Sequence, residues 1–228
     1  MNVKLVSYSQ PTDEFKNNSI EDAQDLIAFC ARVSNPSNQF NTETSEKLIR
    51  YLIKNKHWSP LEMVSACLEI TTTRDIARQI LRHRSFSFQE FSQRYADPTK
   101  DMNFVYREAR MQDPKNRQNS IPIDITDPGD KELAKFWLEK QQAVIRASRD
   151  AYEWAVTNGI AKEQARAVLP EGLIESRLYM NGTLRSWVHY IELREANGTQ
   201  EEHRSIAIEC AKAIAAIFPL TKDFLTDR

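Results

Sequence analysis

Two stretches of this chain alternate with a period of two, and each runs straight into a helical pattern. Val64, Ala66, Leu68 and Ile70 alternate with Ser65, Cys67, Glu69 and Thr71, and Ile174, Ser176, Leu178 and Met180 repeat the arrangement. Successive side chains of a strand point to opposite faces, so both segments predict strands with one covered face. Thr71-Thr72-Thr73 and Thr183 stand where helix caps are needed, ahead of helices predicted over 74–84 and up to Arg194. Apolar residues at helical spacing predict further helices over 19–33, 43–55, 130–157, 161–169 and 200–218. Strands and helices interleave without a regular βαβ rhythm, which predicts an α+β fold with a mixed or antiparallel central sheet flanked by long helices. Residues 95–129 are polar and rich in turn signals, with one candidate strand over 103–106. The expectation is one domain over 1–228 carrying a loop and helical excursion at about 95–160.

Composition narrows the function classes. With 228 residues, 41% of them hydrophobic and 28% charged, the chain can bury a full core. Apolar runs such as Ile214 to Phe218 are far too short to span a bilayer, and the first residues lack a signal-peptide pattern, so a cytoplasmic protein without a membrane partner is expected. A formal net charge of −1 lacks the positive field of a non-specific nucleic-acid binder, so no nucleic-acid partner is expected. Cys30, Cys67 and Cys210 are odd in number and far apart, which predicts small buried thiols and neither a disulfide framework nor a metal site.

Between Arg74 and Arg94 lie five arginines and no lysine, against only Asp75 and Glu90. A guanidinium meets phosphate or carboxylate with a rigid fork of donors, so this choice suits an anion site; a solvated helix face with i,i+4 salt bridges fits the same stripe. Ser85 to Tyr95 then alternates aromatics with hydroxyls, amides and a carboxylate. In extended backbone that pattern sends rings inward and polar groups outward, so that Gln89, Glu90 and Ser92 could read a base edge while Arg82 and Arg94 hold phosphate.

Arg82-His83-Arg84, seven residues, Ser92, one residue and Arg94 together resemble the signature of flavin-dependent thymidylate synthases. Three more segments are similar to that family in the family's order: His57 to Glu62, Glu163 to Pro170, and Thr183 to Arg194. The resemblance implies reductive methylation of deoxyuridine monophosphate (dUMP), with methylenetetrahydrofolate giving the carbon, reduced FAD giving hydride and NADPH recharging the flavin. It implies a homotetramer with sites at subunit interfaces. Carried over by position, Gln79, Arg82, Glu90, Ser92, Gln93, Arg94 and Arg166 bind the nucleotide, and Arg194 lies beside the uracil as the catalytic group. Ser59, Arg82, His83, Arg84, Glu90, Thr183, Arg185 and His189 surround the flavin, and His57 lies on the folate and nicotinamide side. No Gly-x-Gly-x-x-Gly loop follows a strand, so the flavin rests on the resemblance alone. His203 is expected at a surface or interface. Three other readings remain open: transfer of a hydroxymethyl group, non-catalytic binding of nucleotide or single-stranded nucleic acid, and an inactive homologue assembled through its long helices.

Overall fold

The computed structural model of the chain describes residues 2–224, so the ends of the 1–228 domain lie outside the described residues. Strand β1 (Asn2–Tyr8) is followed by the single turn α1 (Asp13–Lys16) and helices α2 (Ala23–Ala31) and α3 (Ser45–Lys54). Strand β2 (Ser65–Thr73) runs into α4 (Arg74–Ile80), and strand β3 (Ser87–Glu90) follows. Then come the turn α5 (Pro98–Asp101), the hairpin β4 (Arg110–Gln112) and β5 (Ser120–Pro122), the long α6 (Pro128–Thr157) and the turn α7 (Lys162–Ala165). Strand β6 (Glu175–Thr183), α8 (Leu184–Glu195) and α9 (Glu201–Ala215) complete the described order.

Four strands pair as β1-β2-β6-β3, every neighbour antiparallel, so the α+β class holds and the mixed sheet does not. Register places Leu5 opposite Leu68, Leu68 opposite Met180 and Met180 opposite Phe88. That row and the next, Val3, Ile70 and Leu178, face the core with Trp187, Tyr190, Ile206 and Ile214 from α8 and α9. Each fully buried aliphatic there stabilises the fold by about 1.5–3 kcal/mol. The other face stays open, and on it the Tyr179 hydroxyl donates to Glu69 at 2.8 Å. Strand β3 is too short to reveal itself by alternation and that of β1 breaks at Val6, where its register shifts, yet Phe88 on β3 turns inward as the aromatic-polar pattern expects.

The two predicted strand-to-helix units are tied to each other reciprocally. The Arg74 amide, starting α4, donates to the Ile174 carbonyl at 3.0 Å, and the Leu184 amide, starting α8, donates to the Val64 carbonyl at 2.8 Å. Thr183 caps α8 as expected, its hydroxyl accepting from the Ser186 amide at 3.3 Å. Thr73 does not cap α4: its hydroxyl donates to Asp75 at 2.5 Å and accepts from Arg107. The helix predicted over 74–84 stops at Ile80, so Arg82-His83-Arg84 occupies a turn. Phe86 pins that turn by lying edge-on to Trp187, with ring centroids 4.8 Å apart, and directly over Gly182, where a Cβ would collide with its ring.

Elsewhere the patterns needed adjustment. The candidate strand over 103–106 reduces to one bridge between Phe104 and Ile174, and the stretch expected to be irregular contains α5 and the β4–β5 hairpin. The last helix ends at Ala215 rather than 218. Cys210 is buried, but Cys30 and Cys67 are only half-buried. Helix α6 is capped by the Asp127 carboxylate, which accepts from the amides of Gly129 and Asp130, and ends at Asn158 before Gly159 at φ +81°. Phe136, Trp137 and Trp154 on α6 are exposed. Among the described residues no helix is long and apolar enough to cross a membrane.

Candidate active site

The turn after α4 and the last turn of α8 meet at His83 and Arg194. The Arg194 Nε–H donates to His83 Nε2 at 2.9 Å, and His83 lies edge-on to Tyr190 with ring centroids 4.9 Å apart. An imidazole that accepts at Nε2 carries its proton on Nδ1. Burial, then Arg194, then Arg82 push the His83 pKa down to about 4, so the ring is a neutral acceptor that aims a permanently charged guanidinium. Gln79, one turn earlier on the same side of α4, faces the buried His203.

A second group lies on the adjacent side of α4. Arg74 is buried between Glu90, 3.4 Å away, and Glu171, 3.7 Å away, while Arg78 holds Glu171 at 2.8 Å. The Arg78 hydrogen bond holds the Glu171 carboxyl below its ordinary pKa. Two of the five arginines are therefore structural: Arg74 and Arg78 are committed to acids, and Arg82 is left exposed. Glu90 is likewise engaged, accepting from the Ser176 hydroxyl at 2.7 Å. Arg74, Arg78, Gln93, Arg166 and Leu169 line a cleft of about 300 Å³. Arg94 joins Arg166 here through Glu163, whose carboxylate is 3.7 Å from Arg94 and whose carbonyl accepts from Arg166 at 3.3 Å. The Ser92 hydroxyl accepts from the Arg94 amide. Of Arg82, Arg94, Arg166 and Arg194, Arg166 alone lines this cleft; Arg94 reaches it through Glu163, while Arg194 closes on His83.

The profile of the family described as thymidylate synthase complementing protein matches residues 17–220. The chain belongs to this family, the flavin-dependent thymidylate synthases. A probable flavin-dependent thymidylate synthase of Paramecium bursaria Chlorella virus 1 is 45% identical over 219 residues, covering 96% of each chain. A flavin-dependent thymidylate synthase of Synechocystis sp. is 47% identical over the same share of both. Among solved structures, the UMP/dUMP methylase PolB of Streptomyces cacaoi, bound with 5-Br dUMP, superposes with a TM-score of 0.76. It is 24% identical and covers 98% of this chain and 93% of that one, a likeness of fold.

In this flavin-dependent thymidylate synthase fold, Arg185 and His189 of the residues expected around a flavin lie on α8, with Thr183 at its cap. Arg185 pairs with Glu62, His189 lies edge-on to Trp58 at 4.5 Å, and the Ser186 hydroxyl donates to the Ser85 carbonyl at 3.2 Å. Ser59 opens the turn beside them, Arg84 is exposed, and His57 is exposed at the far edge against Tyr51. From Arg185 to Arg194 the helix rises about 14 Å. Thr183 is occupied as the helix cap.

His203 corrects the sequence expectation. It is fully buried, with Nδ1 3.2 Å from Gln79 Oε1 and Nε2 3.2 Å from the Tyr190 hydroxyl. Burial, Arg194 and His83 hold its pKa down to about 3. The signal was present: position 203 continues the inward stripe of Ile206, Ala207, Cys210 and Ile214.

Two depressed histidines give a testable pH dependence. Unfolded, both take up protons below about pH 6.5; folded, they stay neutral until about pH 4 for His83 and about 3 for His203. Their contribution to stability is complete above pH 6.5 and is lost as pH falls toward 4. The slope approaches about 1.4 kcal/mol per pH unit for each proton, with the share of half-exposed His83 reduced by solvent screening. Denaturant unfolding across that window should show stability falling with acid; a flat profile would contradict the neutral pair.

Proposed function

We infer that this chain methylates dUMP to thymidylate, taking its carbon from methylenetetrahydrofolate with FAD as redox cofactor and NADPH as reductant, in the cytoplasm. Membership of the family supports the reaction. The single geometric observation that carries it is the Arg194 guanidinium fixed on a neutral His83 inside the Arg-His-Arg turn. Carbon 5 of uracil is a weak nucleophile, and it attacks a one-carbon unit more readily from a ring that carries negative charge on its oxygens and ionised N3. A prepositioned guanidinium stabilises that charge without reorganising. Activation by a cysteine is disfavoured, because burial raises the pKa of Cys30, Cys67 and Cys210 and no cationic partner among the described residues lowers any of them.

The donor set along α8 fits a flat, anionic cofactor: Arg84, Arg185, His189 and Ser59 are exposed or half-buried at its margin, with His83 at its inner end. FAD, when bound, supplies hydride. Arg82, His83, Arg84, Arg185 and His189 would hold it, and His57 would guard the folate and nicotinamide side. Arg94 and Arg166 would grip phosphate at the cleft that Arg166 lines, with Gln93 on its wall, Ser92 beside Arg94 and Glu90 engaging Arg74 there. Gln79, Arg82 and Arg194 would face the base. The site lies between copies of a homotetramer, the Arg94–Arg166 half of one copy meeting the Arg82–Arg194 half of another. Two observations support this: Arg166 lines a cleft without Arg194, which closes on His83, and α6 exposes Trp154 at 64% and Phe136 at 49%.

The purified protein should be yellow, with a flavin spectrum that bleaches under anaerobic NADPH. Colourless protein that binds no added FAD would remove the reading.

A further inference from the structure

Five side chains form one line of hydrogen bonds: Tyr190, His203, Gln79, Gln200 and Glu202. Its direction follows from its end. The Glu202 carboxylate, held below its usual pKa against burial by its own backbone amide and by Arg107, Gln200 and Arg110, only accepts. Gln200 therefore donates to it through Nε2 at 2.9 Å and turns Oε1 toward Gln79, which donates through Nε2 at 2.8 Å. That leaves Gln79 Oε1 facing His203 Nδ1, which must supply an N–H, so the neutral ring accepts the Tyr190 hydroxyl at Nε2. Flipping either amide would set donor against donor or acceptor against acceptor. His203 and Tyr190 are buried at 0% and 1% exposure, so bulk water cannot stand in.

We propose that His203 is a positioning residue that locks the Gln79 amide with its NH2 outward, making Gln79 a fixed donor to a pyrimidine carbonyl oxygen and selecting uridylate over cytidylate. This rests on the reading of the site as a uridylate site. Gln79 Nε2 carries two hydrogens, of which one is taken by Gln200, and no acceptor among the described residues takes the other. Gln79 is half-buried on the side of α4 that leads to His83 and Arg194. Uracil and cytosine differ at carbon 4, carbonyl against amino. A freely rotating amide serves both; a locked NH2 meets cytosine's amino group donor to donor. A site built to hydrogen-bond one group rejects the analogue that lacks it, because a buried partner is left unpaired.

The test is equilibrium binding of dUMP and dCMP to flavin-loaded protein, wild type and variants. Wild type should prefer dUMP by about a hundredfold or more, and His203→Leu should cut that preference by roughly tenfold while flavin content is unchanged. His203→Asn, whose amide N–H can replace Nδ1–H, should retain most of the preference, and Gln79→Leu should lose it. A His203→Leu protein that keeps the full preference, or loses both nucleotides in equal proportion, overturns the proposal. So does a Gln79→Leu protein that discriminates normally. Nitrogen NMR of the wild type decides even if His203→Leu fails to fold: the ring proton should sit on Nδ1, and an Nε2-protonated ring or an imidazolium at neutral pH refutes the lock. Wild type that binds neither nucleotide would instead remove the uridylate reading, and the lock with it.

Discussion

Replacing Arg194 by alanine is expected to lower kcat by about a thousandfold while leaving fold, flavin content and, within a few-fold, the KM for dUMP in place. The reasoning is local. Arg194 sits in the last turn of α8, and the contact that fixes its direction is to a side chain, His83, so its loss removes no backbone bond. Phosphate affinity is assigned to Arg94 and Arg166, on the Arg74–Arg78 side of α4. An effect confined to kcat marks an interaction made in the transition state; a rise in KM alone would recast Arg194 as a binding residue. Stopped-flow flavin oxidation with dUMP and the folate present would separate the two, and an Arg194→Ala enzyme of normal kcat would contradict the assignment.

The second large effect concerns mixtures. Arg194→Ala and Arg166→Ala should each be poorly active, yet co-assembled they should regain about a quarter of wild-type activity, because random assortment gives that share of sites an intact half from each copy. Such recovery requires the halves to come from different chains. Their separation already points that way: Arg166 lines a cleft with Arg74, Arg78 and Gln93, whereas Arg194 closes on His83. Denaturing the two variants together, refolding them and assaying the mixture checks this. Activity that never exceeds the mean of the two parents would place the whole site in one chain.

The parts of the fold legible in sequence were those governed by local period. The strands ending at Thr73 and Thr183, the cap at Thr183 and the long helix ending at Asn158 all follow from alternation, helical spacing or cap chemistry. Edge strands escaped because one covered face and few residues leave little pattern, as in Ser87-Phe88-Gln89-Glu90. The arginine stripe was legible as chemistry but not in its division of labour. Arg74 and Arg78 look like Arg82 in sequence, and only the approach of Glu171, 93 residues from Arg78, assigns them to structure. Glu90, expected at the ligand, is also held within the fold by Ser176 and Arg74. At His203 the neighbouring Arg204 suggests a surface, but its helical phase with Ile206 and Cys210 turns it inward beside Tyr190. Which residues share one site across copies is invisible to any single-chain pattern, because spacing carries no information about a partner.

The most direct measurement is mass analysis of the nucleotide formed when the flavin-loaded enzyme is given dUMP, methylenetetrahydrofolate and NADPH. Family membership, with Arg194 fixed on His83, predicts thymidylate, the ring carrying a methyl group and no added oxygen. Recovery of unchanged dUMP while NADPH is consumed, or of a hydroxymethyl nucleotide as the end product, would contradict it.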